Sequence, residues 1–185
     1  MRKMLMLGLL TLAGCAAQTP NGVQQYLLPD SGQHPMANQS DPLLLVEVNL
    51  ASYLDVNGIV YQTSATEIVQ AKQHLWASDV QLQLQDQVIE RLRSSQDGYW
   101  AVGLSSALNV SDSSKLIMQI DKFNGSYSGS AQVGGEWMLV DSDGNITKGG
   151  MFKQQVALES EGYHALVMSL SEGLDDVIEQ ISQEL

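Results

Sequence analysis

The chain has 185 residues, 44% of them hydrophobic, and a formal net charge of -12. That length suits one domain behind a processed leader, and the composition is enough for a sizeable core. The acidic balance excludes a nucleic-acid partner, which needs basic patches for phosphate, and the single cysteine, Cys15, excludes an internal disulfide.

In chain order, Arg2 and Lys3 give a basic start, and Met4 to Leu12 is nearly all apolar. This is the layout of a secretory signal, and it is far shorter than the roughly 20 apolar residues that span a bilayer. Leu12-Ala13-Gly14-Cys15 resembles the bacterial lipobox, in which the cysteine thiol takes a diacylglyceryl group and becomes the first residue of the mature chain. The domain boundaries expected are a signal peptide over 1–14, a lipidated tether over 15–22 and a single domain over 23–185. Loss of Arg2 and Lys3 leaves 7 basic against 21 acidic residues, a net -14. Anionic lipid repels such a surface, so the acyl chains must hold the protein to the membrane. Ala16 follows the cysteine, where an aspartate would resemble an inner-membrane retention signal; outer-membrane delivery facing the periplasm is expected.

Val23 to Leu28 reads as a first strand stopped by Pro29, and Asp30 to Pro42 as a loop. Leu43 to Leu50 is a strand, and Gly58 to Thr63 a shorter one. From Glu67 to about Arg93, Trp76, Val80, Leu84, Val88 and Leu92 recur every four residues, the pattern of an amphipathic helix laid on a core. Its main part starts at Ser78-Asp79 with Ser78 as the cap and ends near Ser94-Ser95; Glu67 to Ala77 is left open between helix, strand and loop. Tyr99 to Ser106, Lys115 to Ser126, Ser130 to Asp141 and Ile146 to Leu158 read as strands, the last three an antiparallel meander. Gly134-Gly135 predicts a bulge or a close backbone approach, and Ser142 to Asn145 a turn. Gly162 to Leu185 carries one apolar face from Tyr163 to Leu185 and is helical. The expectation is an α+β fold, a mixed and mostly antiparallel sheet against two amphipathic helices.

No catalytic or metal constellation emerges. Counted as a calcium loop from Asp141, position 6 is Ile146 and position 12 is Phe152, where glycine and glutamate are needed. His34, His74 and His164 have no ligand partner at short spacing and read as surface or interface residues. Gly103-Leu104-Ser105-Ser106-Ala107 lacks the second glycine of a nucleophile elbow. The glycines at 125, 129, 134 and 135 make no phosphate loop. Asp175-Asp176 reads as a solvated helix face, and Trp76, Trp100 and Trp137 as core residues in preference to a ligand groove.

With the lipobox, Tyr26 to Pro29 (YLLP), Val46 to Ala77 with Tyr53-Leu54 and Gly58-Ile59-Val60-Tyr61, Leu116 to Leu139 with Phe123-Asn124-Gly125 and Gly135-Glu136-Trp137, and Gly162 to Ser182, the chain resembles the ABC-type transport auxiliary lipoproteins. Gln62 stands where many relatives carry arginine. The resemblance implies a fold like the N-terminal domain of TolB, no cofactor and no catalytic residues. It also implies an outer-membrane lipoprotein that works with an MCE-domain membrane protein in lipid movement between membranes and in envelope integrity. Two functional readings follow. One is a docking subunit, with strand edges and the glycine-rich segment (Gly125, Tyr127, Gly134, Gly135) as partner or oligomer contacts, a homo-oligomeric ring included. The other is a lipid-binding carrier with a pocket lined by Trp76, Trp100 and Trp137.

Overall fold

A computed structural model describes residues 22–30, 32, 35–37, 41–95, 98–105, 108 and 112–185. Its elements run β1 (Gln24–Tyr26), β2 (Leu43–Leu50), β3 (Gly58–Gln62), β4 (Ile68–Trp76), α1 (Val80–Ser95), β5 (Trp100–Val102), β6 (Ser114–Ser126), β7 (Ser130–Val140), β8 (Ile146–Ala157) and α2 (Tyr163–Ser182).

The thirteen residues of β6 organise the sheet. Along one edge β6 pairs in parallel first with β2 and then, at Gly125 and Ser126, with β3. Along its other edge it pairs with β7 in an antiparallel ladder that β8 continues. β4 pairs antiparallel with β3 and parallel with the short β1, and β5 closes the far side beside β2. The longest ladders are antiparallel, as expected. Alternation explains why one face is covered. Val46, Leu116 and Leu139 lie in register across three strands, as do Val48, Met118 and Trp137, and all are buried. The intervening Glu47, Gln119 and Glu136 are exposed on the other face.

Both helices lie on the buried face. α1 presents Val80, Leu84, Val88 and Leu92, and α2 presents Leu166, Leu170, Leu174, Val177, Ile178 and Ile181, into one core. Each such leucine or isoleucine contributes about 1.5–3 kcal/mol by leaving water, which makes this stripe the main reason the helices stay docked.

Three expectations are corrected. The stretch left open, Glu67 to Ala77, holds the strand β4 (Ile68–Trp76), and Trp76, expected on the helix, belongs to this strand. Most of β4 is exposed, so its side chains show no alternation for a sequence reading to catch, while Trp76 falls by chance on the four-residue spacing of α1. The helix cap is Asp79, not Ser78: the Leu82 N–H donates to Asp79 Oδ1 at 3.0 Å. The strand expected over Tyr99 to Ser106 is three residues long, and Ser106 lies outside the described residues. The bulge or close approach expected at Gly134-Gly135 is present, with the extra residue on the partner strand. Ile120 pairs with Gly135 and Lys122 with Gly134, so Asp121 is the one left over.

Candidate functional site

The lipobox residues Leu12, Ala13, Gly14 and Cys15 lie outside the described residues, as does His34. The first of the described strands, β1, runs beside β4 at the edge of the sheet, with Gln24 opposite His74.

Of the four residues expected at a partner surface, three are buried. Gly125 lies under Tyr61: a methyl there would sit 2.7 Å from the ring's Cε2 and 2.9 Å from Leu166 Cδ2. The Tyr61 hydroxyl donates to the Ser126 carbonyl at 2.7 Å, which holds the ring over the glycine. Gly135 is pressed against the backbone of β6, where a side chain would collide with the Gln119 carbonyl. Gly134 is buried beside the Asp121 bulge. The structure thus gives Gly125 and Gly135 a use inside their own chain, whereas a methyl at Gly134 would meet only ordinary contacts at 3.5 Å. Tyr127 is different. It stands at the tip of the β6–β7 hairpin, 58% exposed, with its N–H donating to the Gln62 carbonyl at 2.9 Å. The hairpin beneath it is locked by hydroxyls: Ser128 bonds Ser126 at 3.0 Å and Ser130 at 2.9 Å, and Gln155 Nε2 donates to Ser130 at 2.8 Å.

Next to this hairpin begins α2. Its N-cap, Gly162, has φ +105° and makes no side-chain cap. Tyr163 follows, stacked on His74 with centroids 3.9 Å apart, and His74 Nδ1 shares a 2.9 Å hydrogen bond with the Tyr26 hydroxyl. Burial raises the Tyr163 hydroxyl above its ordinary pKa, with Tyr61 adding to the effect; burial likewise raises Tyr26. Both phenols are therefore neutral at physiological pH and act as packing and hydrogen-bonding groups. A mainly apolar cleft of about 620 Å³ opens here, lined by Tyr61, Leu158, Tyr163 and Leu166 among others.

The sequence reading missed Arg91. It points from α1 toward α2, nearly buried, with its Nε paired to the Asp175 carboxylate, Nη1 on the Gln87 side chain and Nη2 donating to Ser171 Oγ at 2.8 Å. Asp175 therefore does more than face solvent, although its side chain is 56% exposed. A buried guanidinium needs such partners, and its hydrogen bonds fix how the two helices lie together. Nothing within α1 announces a partner 84 residues away.

The tryptophans divide. Trp76 and Trp137 are in the core, and the Arg93 guanidinium lies 4.5 Å over the ring of Trp100. Among the described residues no group of three His, Cys, Asp or Glu side chains converges as metal ligands. Nor is any described helix long and apolar enough to cross a membrane. The Asp141 turn is a hairpin, as expected. The Asp141 carboxylate accepts the N–H groups of Asn145 at 2.8 Å and Asp143 at 3.0 Å, and Gly144 takes φ +87°.

Comparison with known proteins bears on the family and the fold. A family described as the ABC-type transport auxiliary lipoprotein component matches residues 26–182. The intermembrane transport lipoprotein PqiC of Escherichia coli (strain K12) is 34% identical over 179 residues, covering 95% of this chain and 92% of the relative. PqiC of Shigella flexneri gives the same values. Among solved structures, an uncharacterized protein 29% identical superposes with a TM-score of 0.76 over 88% of this chain and 98% of its own. A Xanthomonas campestris protein, 20% identical, shares the fold with a TM-score of 0.67, over 85% of this chain and 92% of its own.

Proposed function

The chain belongs to the ABC-type transport auxiliary lipoprotein family, and from that membership we propose that it is the outer-membrane lipoprotein subunit of an MCE-type intermembrane lipid transport system. In this reading acyl chains on Cys15 hold the domain at the outer membrane, facing the periplasm. The folded domain receives a periplasm-spanning MCE-domain membrane protein (PqiB-like) and so supports envelope integrity. Its part is binding, not catalysis. The observation that carries the reading is the near full-length match to a relative named as an intermembrane transport lipoprotein.

A homo-oligomeric ring has a strand edge to use. Among the described residues β8 pairs only with β7, so the outer edge of its twelve residues is open. Lys153 stands exposed on this strand of an acidic chain, the kind of charge that blocks indiscriminate pairing while leaving a matched partner acceptable; Lys148 is engaged by the Glu184 and Leu185 carbonyls of its own chain. The lipid-carrier alternative loses its aromatic pocket, since Trp76 and Trp137 are packed in the core and Trp100 lies under Arg93.

The test combines mass, fractionation and capture. The mature chain should begin at Cys15 with acyl mass on it, sediment with outer membrane, and bring down an MCE-domain protein after mild cross-linking. An unmodified cysteine or inner-membrane sedimentation would sink the anchor half of the reading. A correctly placed lipoprotein that captures no MCE-domain protein would sink the docking half.

A further inference from the structure

Which end of the domain meets the membrane follows from strand direction. β4 starts at Ile68, opposite Gln62, and β1 runs parallel to it, so tracing β1 backward from Tyr26 to Gln24 leads toward the Gln62 end of the sheet. Gln24 sits beside His74, whose neighbour Leu75 faces Gly58; from Gly58 to the strand end at Gln62 is about 13 Å. The thirteen residues of β6 span about 40 Å between Ser114 and Ser126, so the opposite end lies roughly 27 Å away. From Cys15 to Val23 the chain reaches at most about 28 Å when fully extended. It reaches the Gln62 end with slack. It reaches the other end only by reversing direction and stretching completely.

The surface at the Gln62 end fits the same placement. Ile68 and Val69, 44% and 48% exposed, begin β4 there, and Tyr127 projects from the adjoining hairpin tip. The three loops at this end, 63–67, 127–129 and 158–162, contain no basic residue; Glu67, Glu159 and Glu161 are their only charges. An aromatic ring beside exposed aliphatic side chains and hydroxyl-rich turns suits the headgroup layer, where amphipathic rings settle. The acidic residues leave no electrostatic pull, so contact depends on the anchor.

We propose that the domain stands end-on on the lipid surface, with the Gln62 end down and Tyr127, Ile68 and Val69 at the headgroup interface. This rests on the lipidation of Cys15 proposed above. The test uses the full lipidated chain in phosphatidylcholine vesicles that carry a nitroxide-labelled lipid. Because lipidation consumes the Cys15 thiol, an environment-sensitive fluorophore attaches only at an introduced site, Ala65→Cys at the Gln62 end or Ser142→Cys at the far turn. The expected result is blue-shifted, lipid-quenched emission at position 65 and water-like, unquenched emission at 142. Adding Tyr127→Asp to the Ala65→Cys chain should reduce the quenching while the protein still floats with the vesicles. Equal quenching at both sites, quenching at 142 alone, or none at either overturns the orientation. Unchanged quenching with Tyr127→Asp overturns the contact through Tyr127. A chain that does not float at all fails on the anchor, and the orientation falls with it.

Discussion

Gly135→Ala decides whether this glycine serves the fold or a partner. Its Cα faces the bulge in β6, and an added methyl would overlap the Gln119 carbonyl oxygen and lie 3.0 Å from both Gln119 C and Ile120 Cα. All three are backbone atoms held in the β6–β7 ladder, so no side-chain rotation can relieve the clash. Overpacking of this kind costs about 1–3 kcal/mol, and the rigidity of the obstacle puts Gly135→Ala at the upper end. A domain of this size loses roughly 2–4 °C of Tm per kcal/mol, so a fall of about 6–12 °C is expected. The assay is thermal unfolding of the soluble domain by circular dichroism, with Gly22→Ala as control, since a methyl at Gly22 meets nothing within 4 Å. Light scattering on the same samples separates the alternatives. An unchanged Tm with lost self-association or lost partner binding would refute the packing argument and return Gly135 to the surface role expected from the sequence.

The buried cation and the far hairpin give two further predictions. Arg91→Ala should cost about 2 kcal/mol or more through lost packing of the side-chain stem, whereas Arg91→Met, which keeps the stem and releases Asp175 to water, should cost under about 1 kcal/mol. Asp175→Asn should fall between them at about 1 kcal/mol, discounted because the carboxylate is half exposed; chemical denaturation of the three variants checks the order, and a methionine variant as damaged as the alanine one would overturn it. At the turn, the Asn145 N–H first, then the Asn145 side chain and the N–H groups of Asp143 and Gly144, hold the Asp141 carboxyl below its ordinary pKa. A depressed carboxylate stabilises the fold fully above its unfolded pKa and loses that contribution as pH falls through the folded one. The Tm gap between the natural chain and Asp141→Ala should therefore be constant above about pH 5 and close under acid; a gap unchanged down to pH ~2 contradicts the assignment.

How much of the fold was legible depended on where each element buries its side chains. β8 is exposed along most of its length and buries only Phe152, whereas the middle of β2, the first half of β6 and the second half of β7 have one face in the core and one in water, so their period of two is written in the sequence. α2 shows its stripe for the same reason. β4 does not, because most of its positions are exposed and its single buried anchor, Trp76, falls on the period of the helix that follows. The cap shifted by one residue because Ser78 and Asp79 both offer an acceptor, and only the backbone path decides which one reaches the Leu82 N–H.

The candidate site was less legible, for a different physical reason. Glycine marks any place where two backbones or a backbone and a ring come close, and the sequence cannot say whether the second party belongs to the same chain. At Gly125 it is Tyr61, and at Gly135 it is Gln119, each from a paired strand. Tyr127 carries the opposite signal, a large ring at a hairpin tip with its own main chain already satisfied by Gln62. The internal partners that bury the glycines also fix the turn that presents Tyr127: Tyr61 covers Gly125 and bonds the Ser126 carbonyl one residue before it. Substitutions at Gly125 would therefore disturb any surface built around Tyr127 without touching the partner. Loss of binding in a Gly125 variant counts as evidence for a contact only when its Tm is unchanged.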